Sequence, residues 1–237
     1  MNYRIRRVPI MRFGMVNAFV LQSDAGAILI DTGVPNSQNQ VSAALGHLGL
    51  TLKDLKLIVV THGHFDHAGG AAQIRKLSGA PVLIHEREAK YCAGEEKMKL
   101  CPTGWVGKLL YKSGAPQAPY DFFAPEITLN GDDRFDLKAY GLSGYITPTP
   151  GHTPGSVSVV MEDGQAFVSD LVASGLGLGG IIPTGVGKRP PFEEEPHVVA
   201  RGLEELLSKG AQHFHLGHGF KLGRAAIERH IDELRKL

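Results

Sequence analysis

The sequence predicts a layered α/β protein, two sheets packed face to face with helices outside, and three observations carry that expectation. Strand and helix signals alternate through the first third of the chain. Strands return in the second half, which closes on a helix, a strand and a helix. At 237 residues, 43% hydrophobic and 21% charged, the chain can bury roughly 70–75% of its unfolded surface, so residues 1–237 are read as one domain.

In order, 18–21 and 27–30 read as strands around an Asp24-Ala25-Gly26 turn, and 39–48 as an amphipathic helix. Residues 57–60 are a continuous apolar run, the mark of a buried strand; a histidine-rich loop follows, then a helix from about 68 to 77 and an apolar strand at 81–84. From about 91 to 125 periodicity is lost among Pro102, Pro116, Pro119 and Pro125, and this stretch is read as an insertion. Its aromatic residues Trp105, Tyr111, Phe122 and Phe123 are candidates to wall a substrate pocket, with a dimer interface as the other use of the segment. Strands are expected at 134–139, 145–148, 156–161 and 166–168, then a helix at 196–207, a strand at 213–216 and a last helix at 225–237. The glycine-rich 175–180 is not followed by a helix, so it is not read as a dinucleotide loop; 174–187 is expected to form a flexible loop over a cleft.

The 25 basic and 24 acidic residues are interspersed and leave a net charge of +1. No whole-molecule field recommends a polyanion, so nucleic acid is not an expected partner. No stretch approaches the roughly 18–20 apolar residues of a membrane span. Arg4, Arg6, Arg7 and Arg12 precede an apolar run at 16–21 that is too short for a signal peptide and passes into Gln22, Ser23 and Asp24. A cytoplasmic location is expected. Cys92 and Cys101 fit neither a CxxC redox pair nor a thiolate zinc site and are read as free thiols.

Chemistry enters at His62-Gly63-His64-Phe65-Asp66-His67, three imidazoles and a carboxylate placed directly after a buried strand. Imidazole nitrogen and carboxylate oxygen suit zinc and similar divalent ions. Gly63 is expected to allow an unusual backbone angle between the first two histidines. Further candidates lie at later strand ends: His152 between Gly151 and Thr153, Asp170 after Ser169, and His218 between Gly217 and Gly219. Loops at strand ends hold a side chain rigidly and leave its tip accessible. A lone histidine is ordinarily structural, and His47, His85, His197, His213, His215 and His230 are read that way. His85 and Glu86 are the best placed of the remainder to support the site from behind.

In this order the HxHxDH segment, the GHTPGS segment, the lone Asp170 and the GHG segment, with the Ile30-Asp31-Thr32-Gly33 turn upstream, resemble the metallo-β-lactamase superfamily over about residues 17–219. The resemblance implies a four-layer αββα sandwich holding two divalent ions, zinc before iron or manganese, in a cleft at one edge of the sheets. It implies His62, His64 and His152 on one ion, Asp66, His67 and His218 on the other, Asp170 bridging them, and Asp31 as a support rather than a ligand. Such an ion pair lowers the pKa of a shared water and supplies hydroxide as nucleophile. Asp66 would then move a proton to the leaving group.

The bridging Asp170 is similar to that of the glyoxalase II, lactonase and phosphodiesterase branches, and antibiotic hydrolysis is demoted for that reason. Nineteen residues follow His218, where glyoxalase II carries a glutathione-binding helical extension, and Ala173 stands where quorum lactonases place a tyrosine. The expected activity is hydrolysis of a small carboxylic ester, thioester or lactone. The expected partner is a small-molecule substrate, with neither nucleic acid nor membrane, and a homodimer is allowed. Three alternatives stand beside it: a mononuclear iron persulfide dioxygenase, a phosphodiesterase or weak β-lactamase on the same site, and a noncatalytic metal-binding module.

Overall fold

Alternation of apolar side chains along the strands sorts them between faces, and that sorting builds the layers. In the computed structural model, which describes residues 3–176, 179–182 and 184–237, the first sheet comprises β1 (Arg4–Pro9), β2 (Asn17–Ser23), β3 (Gly26–Ile30), β4 (Leu55–Val59), β5 (Val82–His85) and β6 (Ile127–Leu129), in that spatial order. The second comprises β7 (Phe135–Asp136), β8 (Gly144–Pro148), β9 (Val157–Met161) and β10 (Gln165–Ser169). A two-stranded ribbon of β11 (Ala173–Ser174) and β12 (Gly187–Lys188) follows in the chain, and β13 (His213–Leu216) and β14 (Leu222–Gly223) complete the second sheet in the order 14-13-10-9-8-7. The helices are α1 (Gln38–Gly46), α2 (Phe65–Ala68), α3 (Ala71–Ser78), α4 (Glu86–Cys92), α5 (Gly104–Ser113), α6 (Pro196–Ser208) and α7 (Arg224–Leu234).

Along β3, Ile28 and Ile30 enter a core between the sheets with Leu57, Val59, Val159 and Phe167, whereas Leu29 faces a core shared with Val41, Leu45 and Ile74 of α1 and α3. The other outer core joins Val160, Ala166 and Phe214 to Leu203 and Leu207 of α6 and Ile227 of α7. Three cores separate four layers, the expected αββα sandwich. Each fully buried aliphatic side chain here contributes about 1.5–3 kcal/mol relative to leaving it exposed. Phe167 plugs the middle core, edge-on to Phe19 at 5.2 Å and stacked on His215 at 4.4 Å.

Strand direction decides where loops converge. β3, β4 and β5 run parallel, so the segments after Ile30, Val59 and His85 leave from one edge of the first sheet. β8 and β10 are each antiparallel to β9, and β10 is parallel to β13, so the segments after β8, β10 and β13 leave from one edge of the second. The Val157 N–H donates to the Thr61 carbonyl at 3.0 Å, and Asn17 of β2 donates to the Gly217 carbonyl from its backbone (2.8 Å) and to the Gly219 carbonyl from its side chain (2.9 Å). These bonds bring the two edges together.

Several elements differ from expectation. β1 is an arginine-rich strand whose Val8 alone is buried; it lies at the sheet margin, where charge is favoured, and so carries little apolar signal. The expected helix at 68–77 is two, α2 and α3, interrupted at Gly69 and Gly70. The 91–125 segment is not wholly irregular, because α5 occupies its middle. The strand expected at 134–139 is only β7, followed by a 3-10 turn at Lys138–Tyr140. Cys92 and Cys101 are free thiols. Within the loop expected over the cleft, 177, 178 and 183 lie outside the described residues. Among the described residues no helix is long and apolar enough to cross a membrane.

Candidate metal centre

The two loop edges meet in a cluster of seven side chains. His62 Nε2 lies 3.0 Å from His64 Nδ1, and His152 Nε2 lies 3.1 Å from each. On the other side, His218 Nε2 is 3.5 Å from Asp66 Oδ2, and His67 Nε2 is 3.9 Å from the same oxygen. Asp170 reaches both sets: one oxygen is 3.0 Å from His218 Nε2 and 3.7 Å from His152 Nε2, and the other is 3.4 Å from His67 Nε2. Donor atoms of His62, His64 and His152, of Asp66, His67 and His218, and of His62, His67 and Asp170 each fall within 4.8 Å of one another. Every residue named from sequence for metal binding is thus in one place.

Whether the donors fit a cation is tested by what they lack. His67 Nε2 and Asp170 Oδ1 are buried with no hydrogen-bond partner among the described residues. Buried polar atoms are rarely left so. Three imidazole nitrogens about 3 Å apart cannot all donate to one another, whereas lone pairs converging on one cation satisfy all three. Gly217 makes room: a Cβ there would stand 2.3 Å from Asp170 Oδ1 and 2.6 Å from His67 Cε1. The set fits divalent metal.

Electrostatics divides the cluster. Burial holds the His64 and His152 imidazoles down to about 3, so both are neutral with a lone pair available. Burial also lowers His67, but Asp170, Asp31 and Asp66 outweigh it and push the imidazole up to about 10. The field that raises proton affinity at this nitrogen also raises its affinity for a cation. Burial would raise the Asp170 carboxyl, yet His218 and His67 hold it well below the usual carboxylate range.

The ligand orientations are set from behind. Asp31 accepts from Thr61 N–H (2.8 Å), His67 Nδ1–H (2.9 Å) and Ser169 Oγ–H (3.0 Å), and the Thr61 hydroxyl donates to it as well. The His67 bond fixes its tautomer and aims Nε2 at the cluster. Asp31 has φ 58, a rare conformation for a residue other than glycine, held here by those four bonds. His62 Nδ1 faces the Thr61 hydroxyl at 3.0 Å, and His218 Nδ1 donates to the Met15 carbonyl.

Glu88 was not anticipated. Fully buried on α4, it accepts from Gly63 N–H at 2.9 Å and Gly155 N–H at 2.8 Å, tying the His62–His64 loop to the His152 loop. Its signal in the sequence is a carboxylate on the buried stripe of α4 beside Cys92, four positions on. His85 and Glu86, favoured from sequence for a supporting role, instead hold Gly131: His85 Nε2 donates to its carbonyl and Glu86 accepts from its N–H. Gly63 does not adopt a positive φ. A Cβ there would stand 2.9 Å from the flexible end of Met98 and 3.3 Å from Glu88 Oε2, and Tyr120 Oη donates to the Gly63 carbonyl at 3.0 Å.

A slot of about 180 Å³ opens on the cluster, with Met11, Val16, Leu110, Ala115, Pro191 and Phe192 among its walls and His64, Asp66, Asp170 and His218 at its polar end. A wider groove of about 620 Å³ adjoins it through His64, Phe65, Leu100 and Pro116. Of the aromatic residues named from sequence, Tyr111 and Phe122 line the groove, Trp105 is 77% exposed on α5, and Phe123 is buried in the core beneath α1 and α3. None lines the slot.

Comparison with known proteins agrees with this arrangement. The family model described as Metallo-beta-lactamase superfamily matches residues 11–208. The chain is 34% identical over 147 residues to the Probable metallo-hydrolase YflN of Bacillus subtilis, covering 60% of this chain and 53% of that protein, about half its length. It is 30% identical over 216 residues to the Probable metallo-hydrolase YqgX of the same organism, covering 90% of this chain and 89% of that one. The archaeal metallo-beta-lactamase superfamily protein ST1585 from Sulfolobus tokodaii superposes with a TM-score of 0.69 at 20% identity, over 98% of this chain and 86% of that chain, a likeness of fold.

Proposed function

The chain belongs to the metallo-β-lactamase superfamily, and from that premise we propose that it is a binuclear metallo-hydrolase acting on a small carboxylic ester, thioester or lactone. One observation carries the reading: seven donors converge while two of their buried atoms, His67 Nε2 and Asp170 Oδ1, have no hydrogen-bond partner among the described residues. His62, His64 and His152 would hold one ion and Asp66, His67 and His218 the other, with Asp170 shared. Nitrogen and oxygen donors without thiolate favour zinc, with iron and manganese compatible. When bound, the ions would supply polarisation of the scissile carbonyl and a water acidified toward neutrality.

The protein's own groups account for the rest. Asp66 is the one donor of the seven that is not buried, and it lines the slot. Its carboxylate can therefore pass a proton to a leaving oxygen or sulfur. In the net reaction water cleaves the acyl C–O or C–S bond: the acyl carbon gains hydroxyl and the leaving half gains the proton. Among the described residues the slot's lining includes no lysine or arginine, which supports a carboxylic ester over a phosphodiester.

The test is elemental analysis of protein purified without added metal, then assay of the same sample against aryl esters, thioesters, lactones and phosphodiesters. Two divalent ions per chain and turnover confined to acyl substrates are expected. A fully active preparation free of metal, or a metal-replete one inert to every acyl substrate, refutes the reading.

A further inference from the structure

We propose that the substrate is bipartite: a compact, uncharged, apolar acyl group of about six carbons seated in the slot, and a larger polar alcohol or thiol half lying in the adjoining groove. This deepens the hydrolase reading above and rests on it.

The slot sets the acyl half. Its side walls are apolar and proline surface, and among the described lining residues the polar side chains are those of His64, Asp66, Asp170 and His218. A carboxylate, phosphate or ammonium on the acyl chain would lie there desolvated and without a counter-charge, which is strongly unfavourable. An apolar cavity of ~150 Å³ in another protein accepts benzene, so about 180 Å³ here suits a group of similar size.

The dimensions are fixed by construction. Thr103 N–H donates to the Pro191 carbonyl at 2.8 Å, the Thr103 hydroxyl donates to the Pro190 carbonyl, and Glu193 N–H donates to the Cys101 carbonyl at 3.0 Å. Arg189 pairs with the buried Glu193. A Cβ on Gly107 of α5 would stand 2.1 Å from the Pro191 carbonyl oxygen, so helix and strap are in direct backbone contact. These contacts lace the 100–116 segment to 189–193, the two stretches that carry Leu110, Ala115, Pro191 and Phe192. A wall built this way discriminates by size.

The groove sets the other half. It begins at His64 and Phe65, beside the slot, and its lining sets Tyr91, Glu96, Lys97 and Lys99 among apolar residues such as Met98 and Phe122. Both signs of charge and three phenols, those of Tyr91, Tyr111 and Tyr120, stand beside that apolar surface, in more than three times the space. Such a surface suits an extended polar group with hydrogen-bonding capacity.

The test uses the metal-loaded protein and one fixed alcohol or thiol, with acetyl, butanoyl, hexanoyl and decanoyl as acyl groups. The expected kcat/KM rises about fourfold per methylene to about six carbons and falls by decanoyl. A hexanoyl group bearing a terminal carboxylate is expected to be at least a hundredfold poorer than hexanoyl. Ala115→Phe, which adds a ring to the slot's lining, is expected to lower the hexanoyl-to-acetyl ratio at least tenfold. A second readout needs neither turnover nor metal: benzyl alcohol added to the metal-free wild-type protein should shift the methyl resonances of Ala115 and Leu110. Indifference to acyl length, preference for the charged acyl group, or unshifted methyls overturns the proposal and leaves the hydrolase reading standing. Failure to turn over any ester, thioester or lactone with metal bound overturns both.

Discussion

Replacing Glu88 with glutamine keeps the shape of the side chain and removes one acceptor from a position that needs two. The carboxylate accepts from Gly63 N–H on one oxygen and Gly155 N–H on the other. A carboxamide must turn its –NH₂ toward one of these donors, and a buried donor without an acceptor costs about 1–3 kcal/mol. Burial itself pushes the Glu88 carboxyl up, so removing the charge returns part of that penalty. The net loss expected for Glu88→Gln is about 1–2 kcal/mol; for Glu88→Ala, with both donors orphaned and a cavity left, it is about 3–5 kcal/mol. Because the two loops carry His62, His64 and His152, metal affinity should fall as well, by ~10–100-fold as for other partners that orient ligands. Chelator competition would measure that affinity, denaturant unfolding the stability, and amide exchange of Gly63 and Gly155 the local opening. Wild-type metal affinity together with unchanged protection of both amides in Glu88→Ala would refute the reasoning.

Asp66→Asn should lower kcat by roughly 10²–10⁴-fold with little change in KM, and equal kcat in a metal-replete sample would remove Asp66 from proton transfer. Gly217→Ala places a Cβ 2.3 Å from Asp170 Oδ1; it should lose at least one metal equivalent by elemental analysis, and full metal content would show that the loop can shift. Burial holds the His215 and His230 imidazoles down to about 4, below their unfolded value of about 6.5, so the fold favours their neutral forms. That stability is complete above pH 6.5 and is lost as pH falls toward 4, roughly 2 kcal/mol per histidine by pH 5. Urea unfolding at pH 7 and pH 5 checks it, and His215→Phe should lessen the difference.

Much of the fold was legible because the strands that build it are continuous apolar runs or strict alternations, as at Leu29 against Ile28 and Ile30. β1 was not, since a charged marginal strand is recognised only by its pairing with β2, Arg4 opposite Gln22 through Pro9 opposite Asn17. α5 was hidden by the prolines and glycines around it, which report turns and not the ten residues between them. In the site, the donors were legible because their residue types are rare in such density and fall at strand ends. Glu88 was not: its place on the stripe of α4 that carries Cys92 hints at burial, but nothing local names the two backbone donors it accepts from. The slot walls were hidden because they are far apart in the chain: Leu110 and Phe192 become neighbours through the lacing of 100–116 to 189–193, and Val16 joins them from the segment before β2.

The site concentrates in one place what a fold ordinarily avoids: seven buried or half-buried titratable groups, with two carboxylates and five imidazoles in mutual contact. Hydrogen bonds from behind offset part of that, since Asp31 takes four donors and aligns His67, while Glu88 and Asn17 tie the loops that carry the rest. Among the described residues the inward-facing nitrogens of His62, His64 and His152 face one another at about 3 Å, three imidazoles that cannot all donate to each other. Divalent cations are therefore the partners that complete the hydrogen-bond and charge balance of the folded chain, and their binding energy becomes folding stability by mass action, about 2.7 kcal/mol at a hundredfold excess over Kd. Metal site and fold are for this reason one thermodynamic unit, joined at the strand ends where both sheets deliver their loops.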